Sequence, residues 1–200
     1  MIKSDAINPL YFPEDELFDA FYPPAVRQLS YCHWTPIVVA RRAAAYLASR
    51  PGTKVLDVGC GPGKFCMIGA LSSEGHFTGV EQRESLADLA RTAIRNKKIP
   101  NIQILTANIA DIDFSAYEAF YFFNPFEENL SQPEGIDSAV ELSLALYEQY
   151  IRHVCGQLAR APAGTRVVTY HGVCEEIPLS YNCQHSLFDG SLKLWLKTSD

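Results

Sequence analysis

Residues 55–65, VLDVGCGPGKF, decide how this chain is read. Val55, Leu56 and Val58 surround Asp57, and three alternating glycines follow at once, Gly59, Gly61 and Gly63. A short apolar run closed by turn residues is the pattern of a buried strand. Packing alone does not call for alternating glycines after it. Glycine lets a backbone approach a ligand closely and turn its N–H groups toward it. In an open parallel sheet, ligands lie beyond the carboxyl ends of the strands, next to the first strand. The loop is therefore expected to meet the polar end of a ligand. Its plain structural reading is a tight strand-to-helix turn.

Working outward, apolar runs alternate with helix-period segments. TKVLDVG, HFTGVE, NIQILTANI, AFYFFNPF and TRVVTYHG read as five strands, and KFCMIGALSS and SLADLARTAIRNKK read as helices between them. The fourth run is apolar without alternation, as expected when both faces of a strand are covered. A long helix is expected over 137–160, where Val140, Leu144, Tyr147, Ile151, Val154 and Leu158 form one face. Another is expected over 36–49, with Thr35 as its cap and Pro36 in its first turn. Alternating strands and helices imply a parallel sheet with helices on both faces. The ending breaks the rhythm. SYNCQHSLF, Asp189-Gly190 and SLKLWLKT form a strand, a tight turn and a strand, with no room for a helix. The expected fold is α/β and Rossmann-like: a seven-stranded, mostly parallel sheet whose last strand is antiparallel.

Composition narrows the possible functions. Two hundred residues suit one domain with a large core. A formal net charge of -6 without a basic stripe removes the counterion-release drive of non-specific nucleic-acid binding, so nucleic acid is disfavoured as a partner. The six cysteines include no CxxC pair, and MIKSDAINPLYF lacks the apolar core of a secretion leader. Reduced thiols in a cytoplasmic protein are expected, with no metal site. No apolar run approaches the ~18 residues of a membrane span.

Glu81 ends the second strand about twenty residues after the glycine loop, where a carboxylate accepts ribose hydroxyls. Loop and carboxylate together call for a ribose-bearing ligand. NAD and S-adenosylmethionine both qualify. A dinucleotide fingerprint needs a third glycine at position 64, which is Lys64 here. VLDVGCGPG instead resembles the first motif of the class I S-adenosylmethionine-dependent methyltransferases, and the likeness runs over about 35–197. The resemblance implies that Asp57, Gly59, Gly61 and Gly63 hold the cofactor's amino-acid end and Glu81 its ribose. Cys60 in the loop and Gln82 beside Glu81 are carried with them. The family often has an aspartate after the third strand to accept from the adenine amino group. This chain has Asn108, whose amide oxygen can accept the same bond, with Asp111 as an alternative register and Ile109 as the apolar wall. Residues 1–34 form an aromatic- and proline-rich lead or lid before a methyltransferase domain over 35–200. Tyr31, His33 and Thr35 lie where relatives often fold over the cofactor.

Asn124-Pro125-Phe126, at the end of the fourth strand, is similar to the motif that positions amines in N-methylating members, one proline shorter. It implies that Asn124 and the neighbouring carbonyls accept from an amine, and that Phe126 stacks on it or stabilises its charge. Without a ligand, Asn-Pro is simply a strand-ending turn. A lysine amine, with a reference pKa of about 10.4, must lose a proton before it attacks. His171 after the fifth strand, or Glu127 and Glu128, are candidate bases. The two glutamates equally read as a solvated acidic rim. The resemblance thus implies N-methyl transfer to a protein lysine or small amine. Transfer to oxygen or carbon of a metabolite is the alternative, and an NAD-dependent oxidoreductase or a non-catalytic protein of the same fold are the rivals from other classes.

Overall fold

A computed structural model describes residues 13–130 and 136–199. The first part of the expected lead, through Phe12, lies outside the described residues. Seven strands form one sheet: β1 (Lys54–Val58), β2 (His76–Glu81), β3 (Ile102–Thr106), β4 (Ala119–Phe123), β5 (Arg166–Tyr170), β6 (Tyr181–Leu187) and β7 (Leu192–Lys197). Their spatial order is β3-β2-β1-β4-β5-β7-β6. The first five run parallel, and β7 is antiparallel to both β5 and β6. The turn between β6 and β7 is built on Phe188, Asp189 and Gly190, all at positive φ.

Strand alternation sorts the core into two layers. Val55 of β1 and Tyr121 of β4 face three helices, α4 (Ile37–Leu47), α5 (Lys64–Ser72) and α6 (Glu84–Lys97). Leu56, Val58, Phe120 and Phe122 face the other way, against α7 (Leu144–Arg160). Phe65 at the start of α5 stacks on Tyr121, ring centroids 3.7 Å apart. Among the described residues, three short helices precede α4: α1 (Pro13–Asp19), α2 (Pro24–Arg27) and α3 (Ser30–His33).

Two helix boundaries differ from expectation. The helix expected over 137–160 begins only at Leu144. Asp137 Oδ1 accepts from Ala139 N–H and from Arg83 Nε–H, each at 2.9 Å, so this stretch is drawn into a loop instead. Ser143 then caps α7, its Oγ accepting from Leu146 N–H at 3.2 Å. Val140 is outside the helix, Leu144 is exposed, and the buried face is Tyr150, Val154 and Leu158. Thr35 does not cap α4: its Oγ1 shares a 2.8 Å hydrogen bond with Tyr121 Oη. Asp15 of α1 takes that role from a distance, accepting from Ile37 N–H at 2.8 Å.

Candidate active site

The carboxyl ends of β1, β2 and β4 surround a cavity of about 350 Å³. Gly59, Gly61 and Pro62 form one part of its wall, Glu81, Gln82, Asn108 and Ile109 a second, and Asn124, Pro125 and Phe126 a third. The expected loop and both expected strand ends therefore meet at one place. A side chain at Gly61, where φ is +52°, would meet no protein atom within 4 Å and would enter open space. The loop backbone thus borders room for a ligand.

Glu81 is the centre of the arrangement. Its Oε1 accepts from Arg83 N–H at 2.8 Å and its Oε2 from Gly61 N–H at 3.0 Å, so the carboxylate also fixes the glycine loop. Burial raises its pKa, while the N–H donors and the Arg83 charge pull it back. Each oxygen keeps a lone pair for a further donor. Asp57 lies below the loop and outside the cavity wall, its Oδ2 accepting from Cys66 Sγ–H at 3.3 Å. Burial pushes its pKa up to about 7 against the Cys66 hydrogen bond, and the nearby Glu81 charge adds to the rise. Cys60 and Gly63 are also outside the wall. The Cys60 side chain is buried in the core, and Gly63 begins α5 against Ala90.

Asn108 lines the cavity, yet its amide is already engaged. Nδ2–H donates to Tyr150 Oη at 2.8 Å, and Oδ1 accepts from Ala110 N–H at 2.9 Å as the cap of a short 3-10 turn. The acceptor expected for adenine thus retains one lone pair, and Asp111 is exposed. Asn124 follows β4 directly with φ +43°, a left-handed conformation that asparagine tolerates better than most residues. The neighbouring loop makes room for it: a Cβ on Gly172 would lie 3.0 Å from Asn124 Oδ1. The Asn124 carbonyl is partly used, accepting from Glu127 N–H at 3.4 Å. Phe126 is buried, its ring 5.4 Å from that of Tyr150, and forms wall and core together.

His171 is exposed and is not part of the cavity wall. It stands at the rim, its ring beside Phe123 and Tyr170, with centroids 5.7 Å and 4.2 Å away. Partial burial lowers its pKa against the opposing Glu127 charge. The acidic rim divides. Glu127 is exposed, but Glu128 grips the Arg83 guanidinium with both oxygens, at 2.8 and 3.0 Å, and Asp137 takes its Nε–H. Thr35 lies outside the wall, fixed to Tyr121.

Among the described residues of the lead, Leu29, Cys32, His33 and Trp34 also line the cavity. Of these, His33 was within reach of sequence reasoning. Arg83 is not among the residues expected from the sequence, although an arginine two positions beyond Glu81 is a usable signal. Among the described residues, no group of three or more His, Cys, Asp or Glu is gathered as a metal site would need, and all six cysteines are free thiols. No described helix is long and apolar enough to cross a membrane.

Known proteins are similar to this chain in sequence and fold. Residues 49–129 match the methyltransferase domain family. Over 78 residues the chain is 32% identical to the O-methyltransferase rstn1 of Aspergillus nomiae, a match that spans 38% of this chain and 35% of that protein. An RNA methyltransferase from Salinibacter ruber, solved with S-adenosyl-L-homocysteine, superposes with a TM-score of 0.57 at 14% identity, covering 83% of this chain and 94% of its own. A variant of MtNAS in complex with S-adenosylmethionine gives 0.59 at 14% identity, covering 92% and 71%. The fold is the one these solved structures share. The likeness to the methyltransferase domain family lies within residues 49–129, less than half of the chain.

Proposed function

We propose that the protein is an S-adenosylmethionine-dependent methyltransferase acting on a nitrogen, with a protein lysine or a small amine as acceptor. One observation carries the cofactor assignment: the Glu81 carboxylate, oriented by Gly61 and Arg83 N–H groups, at the wall of a cavity bordered by open glycine backbone. Glu81 would hold the ribose, Gly61 and Pro62 the amino-acid end, and Ile109 with Asn108 the adenine. Asp57, outside the cavity wall, is bonded to Cys66 of α5. When bound, S-adenosylmethionine supplies an electrophilic methyl on a sulfonium that already leaves well.

The protein's remaining task is to position the acceptor. Asn124 Oδ1 accepts an N–H from it and thereby aims the nitrogen lone pair. The attacking amine must be neutral, and its spare proton leaves to the rim. His171, its pKa lowered by burial, is neutral at pH 7 and can receive that proton, with Glu127 beside it. The likeness to an O-methyltransferase supports transfer to oxygen as a second reading.

Thermal unfolding with S-adenosylmethionine, S-adenosylhomocysteine and NAD tests the cofactor. At ~100 times its dissociation constant a ligand adds roughly 2.7 kcal/mol, about 5–10 °C for a chain of this size. Both sulfur nucleotides should give that shift and NAD none. Methyl-labelled cofactor offered to lysine-rich proteins, small amines and phenols then separates nitrogen from oxygen. Label found only on phenols would overturn the nitrogen assignment.

A further inference from the structure

Position 64 argued against a dinucleotide site, and its lysine has no part in the chemistry above. Its side chain is 2% exposed, at the head of an otherwise apolar helix, KFCMIGALS. Nζ lies 2.8 Å from Asp15 Oδ1 and 2.8 Å from Asp19 Oδ1, and both carboxylates are at most 2% exposed. Asp15 and Asp19 are four residues apart and so share one face of α1. The ammonium also lies 5.8 Å from the Phe18 ring centroid and 6.0 Å from that of Trp34. A second tie runs parallel to the first. Tyr22 Oη–H donates to the Pro62 carbonyl at 2.8 Å, and the Tyr22 ring meets Trp34 edge-on at 4.8 Å. The lead is thus fastened to two residues of the glycine-loop region, Pro62 and Lys64, and from there it carries Leu29, Cys32, His33 and Trp34 to the cavity.

Withdrawing an ammonium and two carboxylates from water costs several kcal/mol per ion, and apolar residues of similar size often stabilise a fold as well or better. What ions add is direction, since a lysine between two carboxylates admits few arrangements of the helix that bears them. We propose that Lys64 is a positioning residue: through Asp15 and Asp19 it holds the lead segment as the wall of the cavity that receives the amino-acid end of the ligand. This rests on the cofactor reading above and extends it to a part of the chain outside the glycine motif.

The test compares S-adenosylhomocysteine with adenosine, which lacks the amino-acid end, by calorimetric titration. The variant is Lys64→Met combined with Asp15→Asn and Asp19→Asn. It removes all three charges, while the amide oxygen introduced in place of the Asp15 carboxylate can still accept from Ile37 N–H. Its affinity for S-adenosylhomocysteine should fall about tenfold and that for adenosine change less than about twofold, because only one end of the ligand loses a pre-organised wall. Unchanged affinity for both ligands in the folded variant overturns the proposal. Equal loss of both overturns it as well, since that is general structural damage. Hydrogen exchange on the unaltered protein gives a reading that does not depend on the variant folding: S-adenosylhomocysteine should slow exchange over 13–19, and no change there overturns the proposal. If the unaltered protein binds neither ligand, the cofactor reading fails first and this inference with it.

Discussion

At the scale of single residues, the same side-chain types have different fates according to what surrounds them. Asp57 and Glu81 are both buried carboxylates, but Glu81 receives two backbone N–H groups and Asp57 a single weak thiol donor. Asp57 accordingly titrates at about 7 in the fold, far above its ordinary 3.8. Between these values the folded chain holds a proton that the unfolded chain has lost, so stability falls as pH rises. The contribution is complete below the unfolded pKa and gone once pH passes the folded one. Asp57→Asn should abolish this dependence. The Tm of the unaltered protein minus that of the variant should decline from pH 4 to pH 7 and stay level above, measured in parallel melts. Asn124 invites a different substitution. Glycine tolerates φ +43° without strain, so Asn124→Gly removes the amide and leaves the backbone content. Its Tm should stay within about 2 °C and its affinity for S-adenosylhomocysteine within about twofold, while turnover on an identified amine drops about 100-fold. Unchanged turnover would remove Asn124 from the acceptor site.

At the scale of elements, the strands were legible because buried apolar runs closed by turn residues have few other uses. Helix ends were harder. Of the face expected for α7, Val154 and Leu158 are buried and Tyr147 and Ile151 half-buried, Tyr150 joins it, and the apolar period continues backward to Val140 in what is a loop. Nothing local in 137–143 reveals that Asp137 is held by Arg83, 54 residues earlier in the chain. Ser143 carries the true start, and Ser143→Ala should cost about 1 kcal/mol and lower Tm by about 3 °C. A melt that does not move would show that the tertiary contacts of α7 set its start without the cap.

At the scale of the whole molecule, the cavity is held by ties between segments far apart in sequence. Arg83 joins the end of β2 to the loop after β4 through Glu128 and Asp137. Since Glu128 and Asp137 keep some contact with water, Arg83→Met should cost less than a fully buried pair, about 2 kcal/mol. It should also weaken S-adenosylhomocysteine binding, because the strand end that bears Glu81 loses its tie to the loop after β4. A melt and a titration together check both. Undiminished affinity would reduce Arg83 to a fold-stabilising role.

The amino-acid sequence alone determined the strands, the parallel sheet with its terminal hairpin, the glycine loop and the carboxylate that ends β2 beside it. These follow from the period of apolar residues and from short fixed spacings, which are local quantities. The tertiary structure alone decided which polar groups are free to meet a ligand. Thr35 is taken by Tyr121, 86 residues away, and Asn108 by Tyr150, 42 away. Lys64 is taken by Asp15, 49 residues before it. The i,i+4 spacing of Asp15 and Asp19 was visible from the start, but not the cation it faces. A buried polar group must find a partner, and which partner is available depends on how distant segments come to lie together, a relation that no local pattern encodes.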